Sequence, residues 1–128
     1  MNYYMSRIVE ADFDETIARV VAALTEEGFG VLTDVDVAAT MKQKLGVDFR
    51  QYRILGACNP PLAHKALSAE DKIGVMLPCN VIVQEAGAGK TEVAAIDPRA
   101  AMEPVGNPAL ADLAQVVAHR LGRVLQAV

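Results

Sequence analysis

The sequence predicts a single α+β domain over residues 1–128, with two longer helices packed on one sheet and short helices between the strands. Three observations predict it. Several runs rich in Val, Ile, Tyr and Thr alternate with period two, and two long stretches carry apolar residues at helical spacing. Two further strand-like runs flank the short Gly-rich stretch "AGAGK", the pattern of a hairpin.

Residues 2–10 hold Tyr3, Tyr4, Ile8 and Val9 in loose alternation and predict a first strand. Asp12, followed three positions on by Glu15, forms a capping box. The helix behind it repeats Phe13, Ile17, Val20, Val21 and Leu24, and Gly28 is the residue to end it in a left-handed conformation. "GVLTDVDV" from Gly30 predicts a second strand with one drier face, Val31, Thr33 and Val35 opposing Leu32, Asp34 and Asp36. Asp36 then caps a short helix with Val37, Met41 and Leu45 on one side, stopped by Gly46.

The apolar density of "YRILGACN" places a third strand inside the sheet rather than at its edge. Asn59 and Pro60 supply a cap and a first-turn proline for a short helix through Leu62, Ala63, Ala66 and Leu67. Ser68 with Asp71 is expected to cap one more turn before Pro78. "CNVIVQE" and "TEVAAID" are the hairpin strands, and Asp97 with Pro98 reads as a turn. Asn107 and Pro108 open the last helix, whose buried face is Leu110, Leu113, Ala114, Val117, Leu121 and Val124.

A formal net charge of −4 and only 12 lysines and arginines, scattered along the chain, disfavour a nucleic-acid partner, which demands a basic face. Charges at Arg7, Glu10, Asp12 and Asp14 interrupt the N-terminal region where a signal peptide needs an apolar run. No later run approaches the roughly 18 residues that span a bilayer. The expected location is the cytoplasm, where the two cysteines are thiols rather than a bridge.

Those cysteines carry the candidate chemistry. Cys58 lies just before a helix N-cap, close to the positive end of the helix dipole, where a thiol ionises more readily. Against this stands the plain reading that cysteine is commonly buried and that Asn59-Pro60 is a cap, as Asn107-Pro108 is without any cysteine. Cys79 begins a strand on the face of Val81 and Val83, whereas Asn80 shares the other face with Ile82 and Gln84. Two cysteines do not complete a zinc site, but a soft monovalent metal accepts two thiolates, with Met102 as a distant third ligand.

"GAGKT" lacks the first glycine of a phosphate loop and precedes a strand rather than a helix, so it reads as a hairpin loop. His64 and His119 fall away from the apolar stripes of their helices and read as solvated. Asp34, Asp36 and Asp97 are strand-end carboxylates that no partner turns into an acid–base pair.

The segments "EEGFGVLTDVDV", "KLGVDFRQYRILGACNPPLAHKAL", "IGVMLPCNVIVQE" and "AAIDP" resemble, in order and over nearly the whole chain, the bacterial and archaeal Domain of Unknown Function 302 (DUF302) family. The resemblance implies an antiparallel sheet with helices on one face in a TATA-binding-protein-like topology, β-α-β-β-β-β-α with short extra helices, and a homodimer. It carries over no established activity, and the cofactor stays unknown. Its motif positions fall on Gly28, Phe29, Gly30, Gly56, Cys58, Asn59, Pro60, Pro78, Cys79 and Asn80.

Three functions follow as expectations. The first is a small ligand or soft metal bound near Cys58, Asn59, Cys79 and Asn80. The second is a thiol redox protein with Cys58 as nucleophile and Cys79 as resolving partner. The third is a non-catalytic dimeric interaction domain in which both cysteines belong to the core.

Overall fold

Each of the five helices begins behind an aspartate or an asparagine. In the computed structural model, which describes residues 2–128, the side-chain oxygen of Asp12 accepts from Glu15 N at 2.7 Å and starts α1, Phe13–Glu26. Asp36 accepts from Ala39 N at 2.9 Å ahead of α2, Val37–Leu45. Asn59 starts α3, Pro60–Ala69, Asp97 starts α4, Pro98–Met102, and Asn107 starts α5, Pro108–Ala127. Each cap satisfies an amide that the first helical turn leaves without a partner. Gly28 and Gly46, both at positive φ, end α1 and α2 as expected.

Five strands complete the domain: β1 (Tyr4–Val9), β2 (Gly30–Asp36), β3 (Tyr52–Cys58), β4 (Cys79–Glu85) and β5 (Thr91–Ile96). They form one antiparallel sheet in the order β1-β5-β4-β3-β2. The β4–β5 hairpin and the interior position of β3 agree with the sequence reading. So does the alternation of β4, which buries Cys79, Val81 and Val83 under the helices and turns Asn80 to the opposite face.

The core lies on that first face. Val20 and Leu24 of α1 and Leu121 and Val124 of α5 are shut away from solvent in one cluster with Leu55, Val81, Val83 and Val93. Arg7 on β1 donates to the carbonyls of Leu125 and Gln126 at 3.0 and 2.7 Å, tying the last turn of α5 to the sheet edge and placing a cation at its negative end. The other face of the sheet is open, with Tyr4, Ile8 and Val35 exposed.

Four expectations are corrected. β2 has no drier face: a bulge between Val31 and Thr33 breaks its alternation, it lies at the sheet edge, and none of its residues is buried. α2 likewise buries no residue. Asp97 and Pro98 form a helix start rather than a simple turn. Ser68 caps nothing, since its hydroxyl donates back to the His64 carbonyl and the following 3-10 turn, Ile73–Met76, has no side-chain cap.

Candidate functional site

Where β3 and β4 end beside α3, the sheet, α3, the 3-10 turn and α5 fail to close completely. They leave a cavity of about 320 Å³. Leu62, Ala66 and Leu67 of α3 line one side, Leu113 and Val117 of α5 another, and Cys58, Cys79 and Pro78 the strand ends. Met102 reaches it from α4. Among the described residues no charged side chain lines it. The cavity is therefore hydrocarbon, two thiols, one thioether and the Asn59 amide.

The structure brings three of the four candidate ligand-binding residues to this cavity, together with Met102. Register places Ala57 opposite Cys79 on the neighbouring strand, and Cys58 is the next residue along. Asn80 is not among them. It pairs with Gly56 in the ladder and projects to the open face, where it borders a separate concavity with Tyr52, Ile82 and Gln84. Adjacency in "LPCN" therefore puts Cys79 and Asn80 on opposite sides of one sheet.

Asn59 is 6% exposed and acts as a fastener. Its oxygen accepts from Leu62 N and its amide donates to the Glu27 carbonyl, both at 3.4 Å, joining the start of α3 to the end of α1. Arg120 donates to the same carbonyl at 3.3 Å, and Arg123 binds the Glu27 carboxylate at 2.7 Å. That guanidinium holds the Glu27 carboxyl below its usual range. Gly28 fits beside this junction because a Cβ there would stand 3.0 Å from the Asn59 amide nitrogen, and its φ of +83° disfavours any side chain. Asn59→Ala removes the cap and the bridge together. A loss of about 1–2 kcal/mol is expected, read as a lowered urea midpoint.

Burial, with a smaller contribution from Cys58, pushes the Cys79 thiol from an ordinary 9.0 up to about 11. Cys79 is thus a protonated thiol at neutral pH. In the native protein at pH 8, alkylation followed by mass spectrometry should modify half-buried Cys58 well before Cys79, whose rate should climb only toward pH 11. Equal rates at pH 8 would contradict the described burial. Between the ordinary value and about 11, the unfolded chain has released this proton and the folded chain still holds it, so stability falls as pH rises through that window.

The remaining candidates have structural work. Asp34 forms a two-point ion pair with Arg53, which holds its carboxyl below the usual range, and Asp36 caps α2. Asp97, 3% exposed, accepts from Arg99 Nε and Nη2 at 2.9 and 2.8 Å and is likewise held low. His64 and His119 are exposed, and Gly87 and Gly89 lie at positive φ in the hairpin loop. No helix is long and apolar enough to cross a membrane among the described residues.

Sequence reasoning assigned Leu62, Ala66, Leu113 and Val117 to helix stripes without separating cavity lining from core. The signal was present as a second apolar face, that of α3, at the strand end that carries Cys58. The gap between the two faces arises from contacts between distant segments.

The sequence signature of the domain of unknown function DUF302 matches residues 5–128. Among solved structures, the crystal structure of an uncharacterized conserved DUF302 protein from Bacillus stearothermophilus has a TM-score of 0.91 to this chain at 31% sequence identity. The alignment covers 98% of this chain and 97% of that one. No curated protein matches the chain.

Proposed function

The chain belongs to the DUF302 family, and from that premise we propose that it is a binding module holding a small apolar molecule in the cavity between α3, α5 and the ends of β3 and β4. The observation that carries the reading is the lining: apolar side chains and three sulfur-bearing residues border about 320 Å³, and among the described residues no charge lines it to demand a polar guest. Sulfur is polarizable and adapts its contacts, which suits a guest recognised by shape rather than by hydrogen bonds. Burying about 150 Å² of ligand hydrocarbon at roughly 25 cal/mol per Å² contributes ~4 kcal/mol, a Kd on the order of 1 mM.

Acid–base chemistry has no support in this lining. The buried, protonated state of Cys79 also disfavours a resolving role in thiol exchange, which requires a thiolate. Calorimetric titration with toluene tests the binding reading. Saturable binding to the wild type, lost in Ala66→Phe with the fold retained by circular dichroism, is the expected result. Absence of saturable binding to the wild type would end it.

A second reading is favoured by one observation, that Cys58, Cys79 and Met102 all line this cavity. Soft thiolate and thioether donors select a soft monovalent cation. Titration with Ag(I) separates the two readings. Under the first, a Cys58→Ser, Cys79→Ser variant keeps its toluene affinity; under the second, the wild type binds Ag(I) stoichiometrically and the double variant does not.

A further inference from the structure

Met102 borders two cavities. One is the sulfur-lined chamber, and the second, of about 420 Å³, lies between α4 and α5 and is lined by Arg99, Glu103, Asn107 and Gln115 together with the small residues Ala111 and Ala114. Met102 is half-buried at the end of the short helix α4, and its unbranched thioether has three rotatable bonds with which to move aside. An apolar chamber and a second chamber that adds polar groups to an apolar wall, the polar chamber, therefore share one adaptable side chain.

The polar chamber has a definite hydrogen-bonding character. The Arg99 guanidinium is already bound at two points by Asp97. Asn107 is also engaged: its oxygen accepts from Ala109 N, and its amide donates to the Ala69 carbonyl and to Glu70. Among the described residues the Glu103 carboxylate has no ion-pair partner and the Gln115 side chain no hydrogen bond, and both residues are exposed and line the chamber. What remains available is the Glu103 carboxylate, a charged acceptor, beside the Gln115 amide, which both donates and accepts.

We infer that the two chambers form one site for an amphipathic molecule, its hydrocarbon tail in the sulfur-lined chamber and a hydrogen-bond-donating head, an ammonium or a hydroxyl, beside Glu103 and Gln115. Met102 is a positioning residue at the junction. The inference rests on the cavity reading given above, and it adds the class of ligand. A carboxylate head is disfavoured, since Glu103 repels it and Asp97 already engages Nε and Nη2 of Arg99.

Calorimetric titration of the full chain with octylamine, octan-1-ol, octanoate and toluene tests it. Octylamine and octan-1-ol should each bind about tenfold or more tighter than octanoate, and tighter than toluene. Glu103→Gln should reduce the preference for octylamine over octanoate. Met102→Trp, which fills the junction, should abolish the preference of octylamine and octan-1-ol over toluene, read as the ratio of their affinities to that of toluene in the same variant. Met102→Leu, which keeps the volume and folds with least disturbance, should keep the octyl preference. If toluene binds and the octyl ligands bind no tighter, or octanoate binds best, or Met102→Trp leaves the octyl preference intact, the amphipathic site is refuted while the apolar cavity stands. If neither toluene nor any octyl ligand binds, both are refuted.

Discussion

Gly56→Ala is expected to destabilise the protein by ~3 kcal/mol, a lowered urea midpoint with an unchanged m-value. Gly56 sits in β3 at the point where β2 and the segment before β4 both press against its backbone. A Cβ at this position would collide with Thr33 Oγ1 and would stand 2.7 Å from Pro78 Cγ, a ring atom that can move only by a change of pucker. The strand cannot retreat either, because it is hydrogen-bonded on both sides, to β2 and to β4. Thr33→Ala in the same chain removes one of the two collisions, so the double variant should recover part of the loss, a coupling that independent sites would not show. Gly122→Ala is the contrast. Nothing lies within 4 Å of its Cβ position, and it sits inside α5, so alanine there should stabilise by about 0.5–1 kcal/mol.

Leu121→Ala should cost about 4 kcal/mol, a large share of the stability of an ordinary domain. Leu121 is fully buried on the inner face of α5, in the cluster it shares with Leu24 of α1 and with Val81 and Val83 of the sheet. Truncation there forfeits the burial of Cγ and the two Cδ methyls and leaves a void between three elements already fixed by other contacts. Leu45, at the end of α2, is 68% exposed, and Leu45→Ala should stay within about 0.5 kcal/mol. Similar losses at the two positions in parallel denaturation curves would place the core elsewhere.

Much of this fold was readable from short-range chemistry. Asp12, Asp36, Asn59 and Asn107 were identifiable as caps because each precedes an apolar pattern of helical period, and all four accept from a first-turn amide. Asp97 uses the same device, but the five residues of α4 carry no stripe long enough to separate a helix from a turn. The edge position of β2 was not readable. Its Val and Leu residues resemble those of a half-buried strand, yet only Val31 packs partly against the core, and Leu32 and Val35 stay exposed beyond the bulge.

The candidate site divides in the same way. Alternation along β4 already separated Cys79 from Asn80, so grouping them at one site gave more weight to adjacency in sequence than to the pleat. The meeting of Cys58, Cys79 and Met102 depends on β3 and β4 being neighbours and on α4 folding back toward α5, contacts that no local pattern encodes.

The central claim is that the sulfur-lined cavity holds an apolar guest. Proton–carbon spectra of the alanine and methionine methyl groups, recorded during a toluene titration, test it most directly, because Ala57, Ala63, Ala66 and Met102 report from the lining and exposed Ala127 reports from the end of α5. Saturable shifts confined to the four lining methyls, fitting one dissociation constant on the order of 1 mM, are the predicted result. Shifts that grow linearly at all five methyls up to the solubility limit, or no shifts at all, would contradict it.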